Sequence, residues 1–309
     1  MTEQEKKTVE ARTPPPFSSQ ASLKAATGGF TEHMEREGFS EHTVKAFLSD
    51  LNILSQFVGP GRAINTIGTK DLDNFLEWLQ TGRGVPCNDK SLARRLTTLK
   101  VFFSWLNEVG VLGTDPAAPI VHQPVSTPLP KILTEEEIQR TQSLTQALRH
   151  PASGGRSDAR PHLLLTLLLQ TGIKKGECMN IVLNHLDLAN PQAPAVWIRY
   201  NNPRYRHKER KLKLPTEWPE ALEEYKDQYE IQDALFPCTA RNLEYVLADV
   251  ATAADLPNGL SFEMLRWTSA VRDYKSGMSA DRLRQKMGLS KASWRETKIK
   301  LSKLAAQAL

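Results

Sequence analysis

At 309 residues, with 40 Lys plus Arg against 35 Asp plus Glu and a formal net charge of +5, the chain is long enough to bury two cores, and its charge permits a polyanionic partner without demanding one. Cys87, Cys178 and Cys238 lie far apart and form no C-x-x-C pair, which argues against a disulfide framework and a zinc ribbon; the histidines show no ligand spacing, so neither metal nor cofactor is expected. The longest apolar run, Leu163 to Leu169, is too short to cross a bilayer and the start has no apolar leader, so a soluble, cytoplasmic protein is expected, nucleoid-associated if it holds DNA.

Residues 1–20 carry charges and the run Pro14-Pro15-Pro16 with little apolar content, and they read as a disordered tail. From residue 21 to 114 the pattern is helical. Ser40 is the expected N-cap of a helix with Phe47, Leu51, Leu54 and Phe57 on one face. A second helix begins after Thr69-Lys-Asp71 and turns Leu72, Phe75, Leu76 and Leu79 inward. A third, from Ser91 to Val109, has an apolar stripe of Leu92, Leu96, Leu99, Phe102, Phe103 and Leu106, and its other face carries Arg94, Arg95 and Lys100.

Residues 115–131 contain Pro116, Pro119, Pro124, Pro128 and Pro130 and no apolar period, which reads as an extended linker to a second domain at 132–309. That domain opens at Thr134, an N-cap with Glu137 at the capping-box position. A Gly- and Arg-rich loop from Arg149 to Arg160 precedes an apolar helix, Pro161 to Gln170, closed by Thr171-Gly172. The alternations Ala195 to Tyr200 and Arg210 to Leu214 have the period of strands, and helices return from Pro219 onward. Basic charge concentrates in two stretches: seven basic residues and one acid from Arg199 to Lys213, and eleven against three from Arg266 to Lys303.

Several motifs, in order, resemble those of the tyrosine recombinases, or phage integrases. Ala93-Arg-Arg-Leu-Thr-Thr-Leu-Lys-Val-Phe-Phe103 is similar to the last long helix of that family's core-binding domain, and Leu129-Pro-Lys-Ile-Leu-Thr-Glu-Glu-Glu137 to the start of its catalytic domain. Thr171-Gly-Ile-Lys-Lys-Gly-Glu177 resembles the box T-G-x-R-x-x-E; Arg204-Tyr-Arg-His-Lys-Glu-Arg210 resembles part of a hairpin G-K-G-x-K-x-R; Leu260-Ser-Phe-Glu-Met-Leu-Arg266 resembles L-S/T-x-H-x-L-R. Gly288 stands where the family has a Gly-His pair, and nine residues beyond the second histidine position falls Lys298. The resemblance implies a mainly α fold: an N-terminal helical core-binding (SAM-like) domain, then a helical catalytic-type domain with a small antiparallel β-sheet.

Metal-free cleavage of a phosphodiester needs a nucleophile, cations to stabilise charge on the nonbridging oxygens, and an acid for the leaving oxygen. In the resembling frame Lys174 replaces the first arginine and loses its planar fork, Tyr205 takes the hairpin lysine's slot, Glu263 and Leu289 replace the two histidines, Arg266 is kept, and Lys298 replaces the tyrosine. Glu263 so close to a phosphate is expected to pair with Arg266 across one helical turn. Tyr274, Tyr205 and Tyr245 lie outside the nucleophile's interval. The frame therefore implies no catalytic residue and a protein that clamps double-stranded DNA between its domains through Arg94, Arg95, Lys100, Lys174, Arg204, Arg206, Lys208, Arg210 and Arg266, mostly on phosphates. Such a protein is expected to be an accessory, regulatory or architectural factor in recombination or mobile-element DNA, partnered with an active recombinase or with copies of itself. The alternative is an active site-specific recombinase with a non-standard site or a partner-supplied nucleophile. Ile299, Leu301, Leu304, Ala305 and Leu309 form an apolar face on the last helix that could serve a neighbouring protomer or its own domain.

Overall fold

A computed structural model describes residues 17–85, 87–122, 128–151 and 154–307, and the chain divides into one unit ending at Thr127 and another beginning at Pro128. Most of the N-terminal tail, the middle of the proline-rich segment and part of the Gly-rich loop lie outside the described residues.

The first unit packs four helices, α1 (Leu23–Arg36), α2 (Glu41–Val58), α3 (Thr69–Thr81) and α4 (Asp89–Glu108). Ser22, Ser40 and Asn88 each cap a helix by accepting a backbone N–H three residues on, at 3.2, 3.1 and 2.9 Å. Asn88 starts α4 two residues earlier than the expected Ser91, because its side chain satisfies the Ser91 amide. The expected stripes point inward: Phe47, Leu51 and Leu54 from α2, Leu72, Phe75 and Leu79 from α3, and Leu96, Leu99, Phe102, Phe103 and Leu106 from α4 are buried. Leu92 and Phe57 are only partly buried, the latter with its ring 5.6 Å from Phe75 and 5.2 Å from Trp78. Phe30 of α1 meets Phe102 and Trp105 at 5.2 and 5.3 Å, which joins the first helix to the last.

The proline-rich stretch begins as part of this unit, against the expectation of a linker from residue 115. Ala117 and Ile120 are buried in its core, Thr69 Oγ1 donates to the Pro116 carbonyl at 2.8 Å, and the Asp115 side chain accepts the Ala117 amide at 2.8 Å. Once its carbonyls have fixed donors, a proline-containing turn needs no regular period to be ordered.

The second unit is built around α6 (Arg160–Thr171), whose leucines from Leu163 to Leu169 are buried on every side. Around it lie α5 (Glu135–Arg149), α8 (Trp218–Tyr229), α9 (Ala240–Ala253) and α10 (Phe262–Lys275). Thr134 and Glu137 form the expected capping box, and Gly172 ends α6 in the left-handed conformation, φ 60°. A short helix α7 (Lys175–Met179) leads to an antiparallel sheet of β1 (Leu186–Asp187), β2 (Ala195–Ile198) and β3 (Arg210–Lys213), in that order. Both strands foreseen from the sequence form, with Ile198 opposite Arg210, but β2 stops before Tyr200, whose amide donates to the Glu209 carboxylate at 3.0 Å. The two-residue β1 is too short to show an alternation.

The last two helices are α11 (Ala280–Lys286) and α12 (Lys291–Gln307). Trp294, Leu301 and Leu304 of α12 are buried with Ala270 and Val271 of α10 and Leu283 of α11, so the terminal helix packs on its own unit and leaves Ile299 exposed. Leu309 lies outside the described residues. No described helix is long and apolar enough to cross a membrane.

Leu301→Ala is expected to cost about 2–5 kcal/mol and to raise amide exchange along α12, whereas Ile299→Ala changes stability by less than about 0.5 kcal/mol. Denaturant melts with hydrogen exchange check this; equal effects at the two positions would show that α12 does not pack in cis.

Candidate nucleic-acid interface

The functional frame is organised by a carboxylate. Glu177 sits in the first turn of α7, accepts the Lys174 backbone N–H at 2.8 Å, and receives a forked pair from Arg210, Nη1 to Oε1 at 3.1 Å and Nη2 to Oε2 at 2.9 Å. The Tyr200 hydroxyl donates to the same carboxylate. Burial alone would raise the pKa of Glu177, but these donors outweigh it and hold it at about 2. Tyr200 responds in the opposite sense: burial and its bond to Glu177 push the phenol up to about 12.

Arg210 does more than pair. Its Nε donates to the Lys286 carbonyl at 2.7 Å and its Nη1 to that of Lys208 at 3.1 Å. Arg266, on α10, donates to the carbonyls of Gly172 and, at 2.7 Å, Met287. The two arginines thus fasten the end of α6, the hairpin and the turn after α11 to one another. Gly288 must be glycine here: its φ is 60°, and a Cβ would stand 2.8 Å from Arg210 Nη1. Burial pulls the pKa of Arg266 down to about 10, with Glu177 opposing and Arg210 adding to the effect. The guanidinium remains charged at neutral pH and still has hydrogens to offer a phosphate.

Around this core the other frame positions take different surroundings. Lys174 is exposed, and partial desolvation together with Arg266, Lys208 and Arg210 lowers its pKa, against Glu177. Tyr205, in the hairpin lysine's slot, is 40% exposed; its ring lies 5.8 Å from that of Tyr200, and Lys208 Nζ stands 4.6 Å over it. Lysine charge therefore reaches the hairpin slot from a neighbouring position. Leu289 packs against the cluster that seats α12, and Lys298 is exposed on α12. The expected contact of Glu263 with Arg266 is not formed: Arg266 spends its donors on two backbone carbonyls, and Glu263 is exposed in the first turn of α10, where a carboxylate favours the helix dipole.

The expected phosphate contacts divide into two groups. Arg204, Arg206 and Lys208 project from a 3-10 turn, Pro203–Lys208, at the tip of the β2–β3 hairpin, with Arg204 and Arg206 exposed. Arg94 is half-exposed while bonded to Asp50 and to the Ala46 carbonyl at 3.3 Å. Three others are drawn inward. Arg95 is 12% exposed, 3.5 Å from the Asp50 carboxylate and bonded to Cys87 Sγ; Lys100 donates to the carbonyls of Ala117 and Ala118 at 3.0 and 3.2 Å; the Arg210 side chain is 9% exposed. The sequence signalled that these three are cationic, but Asp50, the 115–118 turn and Glu177 are distant in the chain and claim them only in the fold.

Glu177 and Tyr200 are the residues that the sequence left without a role. Glu177 was visible as the last position of its box; Tyr200, just past the strand alternation, had no signal. The candidate nucleophiles fare no better than expected: Tyr274 is partly buried in the α12 cluster and Tyr245 stacks with Arg241. His150, Glu220 and Glu224 do converge, their ligand atoms within 4.8 Å, a grouping that spacing does not reveal. The cation there is already Arg149, buried, with bonds of 2.8 and 2.7 Å to Glu224 and 3.4 Å from Glu220.

Residues 28–110 match the phage integrase N-terminal SAM-like domain. The chain is 31% identical over 160 residues to the tyrosine recombinase XerC of Mycobacterium leprae, covering 51% of this chain and 52% of that protein, so it spans about half the length of that relative. It is 26% identical over 252 residues to XerC of Staphylococcus epidermidis, 77% of this chain and 79% of the other. Among solved structures it is similar to the XerH site-specific recombinase bound to a palindromic difH substrate, with TM-score 0.68 and 16% identity over 96% and 97% of the two chains. It is also similar to a lambda integrase dimer bound to a COC' core site, with TM-score 0.66 and 15% identity over 89% and 77%. These structural likenesses carry the fold.

Glu177→Gln is expected to destabilise by about 3–5 kcal/mol at neutral pH, since it strands the buried Arg210 charge. The native carboxyl is depressed below its ordinary value of 4.5, so its contribution is full above that value and is lost as pH falls toward about 2. Denaturant titrations at pH 7 and near pH 2 should therefore show the gap between wild type and variant closing in acid; a gap independent of pH counts against the ion pair.

Proposed function

Because the chain belongs to the tyrosine recombinase/integrase family, we propose that it binds duplex DNA and holds it without cutting, as an accessory, regulatory or architectural factor in recombination or mobile-element DNA. The observation that carries this reading is the contrast between the kept cations and the missing nucleophile. Arg266 remains desolvated and charged, flanked by Lys174 and Lys208, which suits stabilisation of a phosphate. The tyrosine bound into this cluster, Tyr200, has its hydroxyl committed to Glu177 and its pKa pushed up to about 12, so its phenolate is scarce at neutral pH.

The frame position for attack carries Lys298, an exposed ammonium that has no lone pair to offer while protonated. The position for a second histidine carries Leu289, which neither donates nor accepts a proton. Without a tyrosyl ester, the energy of the broken P–O bond has no covalent store between cleavage and rejoining. What remains is grip: the exposed hairpin tip with Arg204, Arg206 and Lys208, the Lys174 to Arg266 surface, and Arg94 on the first unit. Phosphate contacts of this kind position a protein on DNA and carry little sequence information. The partner on that DNA is an active recombinase or further copies of this chain, as the relatives' dimeric and DNA-bound forms suggest.

Incubation with a nicked suicide duplex is expected to give no protein–DNA band that survives denaturation; a covalent adduct would overturn the non-cutting part of the reading in favour of an active recombinase. Duplex affinity should fall steeply with salt, and Arg206→Gln with Lys208→Gln should lower the slope of log K against log salt by about 2, roughly one per lost phosphate contact. Absence of duplex binding at low salt would overturn the reading as a whole.

A further inference from the structure

A second basic cavity lies beside the frame in the same unit. It opens between β3, the edge strand of the sheet, and α11, with a volume of about 350 Å³, within the range of small-ligand sites. Lys211, Lys213, Arg282, Lys286 and part of Arg210 line it, against the single carboxylate of Asp273.

Charge accounting separates structural from spare cations. Arg210 is neutralised by Glu177, Lys211 by Asp187 at 2.5 Å, and Lys286 by Asp273, which also removes the one carboxylate from opposing an anion. Lys213 and Arg282 are exposed, and neither has an ion-pair partner among the described residues. Two uncompensated charges thus face one cavity. Gln170 and Gln285 add neutral amide donors, and Leu212 and Met278 give it an apolar side. The backbone contributes as well. The Leu214 amide donates to Pro194 at 2.8 Å, which sets the phase of the β2–β3 ladder and turns the amides of Lys211 and Lys213 away from β2, toward the free edge.

We infer that this cavity is a phosphate-binding subsite, in which Lys213 and Arg282 hold a dianionic phosphate or oligophosphate group. A lysine and an arginine with adjacent amides match the charge and the acceptor oxygens of such a group, and the guanidinium can engage two oxygens at once. The same chemistry could be presented by a free oligophosphate or by the backbone of DNA; only the second source rests on the DNA-binding reading above.

The probe is inorganic pyrophosphate, titrated calorimetrically into the full chain, the double variant Lys213→Gln with Arg282→Gln, and a control double variant Lys291→Gln with Arg295→Gln that removes the same charge outside the cavity. Lys213 and Arg282 are exposed and carry no ion pair among the described residues, so the variant is expected to keep its fold, which circular dichroism verifies. Wild type and control should bind alike, and the cavity variant about tenfold or more weaker. Displacement of pyrophosphate by duplex, with reduced duplex affinity of the cavity variant, assigns the phosphate to DNA; unchanged duplex affinity without displacement assigns it to a free oligophosphate. No binding by wild type, or equal loss in the cavity and control variants, overturns the inference, and does so whether or not the chain binds DNA.

Discussion

The buried pair of Glu177 and Arg210 is the constraint on which the second unit's functional surface depends. Glu177 fixes the start of α7 and so the position of Lys174; Arg210 fixes the base of the hairpin and, through the Lys286 carbonyl, the end of α11. Arg266 completes the lattice from α10 by holding the carbonyls of Gly172 and Met287. A desolvated ion pair is weak as a source of net stability, because both charges lose water. Its value here is positional: four segments far apart in the chain are brought to one place by directional, charge-assisted bonds. Gly288 belongs to the same arrangement, since any side chain there would displace the Arg210 guanidinium.

That architecture explains how the frame can hold its shape while the residues at its rim vary. The positions that hold the frame together are carboxylate, guanidinium, glycine and backbone carbonyl, and they are present. Leu289 and Lys298 lie at the rim, where the leucine packs into the α12 cluster and the lysine faces solvent without disturbing the lattice. The residues at those two positions are therefore physically separable from the contacts that hold the fold. The lowered pKa of Lys174 reflects partial desolvation first and then the charges of Arg266, Lys208 and Arg210, with Glu177 as the opposing counter-charge.

The first unit applies the same logic with different means. Basic residues on α4 looked like an outward face, yet Arg95 and Lys100 hold Asp50, Cys87 and the carbonyls of the 115–118 turn. Long cationic side chains can serve as internal struts when an acceptor lies within reach, and then only part of a basic helix remains available to a ligand. Arg94, half-exposed and bonded to the same Asp50, stands between the two roles.

Helices, their caps and their buried faces were determined locally: Ser40, Thr134 and the leucines of α6 act over three or four residues, and the 3.6-residue period sorts inside from outside before any tertiary contact forms. The order of the motifs also lay in the sequence, together with the residue types at each frame position, and so did the two β2 and β3 alternations. Only the tertiary structure decided which cations are spent and which are spare. Whether Arg210 faces a phosphate or Glu177, whether Arg266 meets Glu263 or two carbonyls, and whether α12 packs in cis depend on partners 21 to 94 residues away in the chain, or on another helix altogether. Charge is a property of a residue, but its availability depends on the acceptors that folding brings beside it, and no local pattern encodes those.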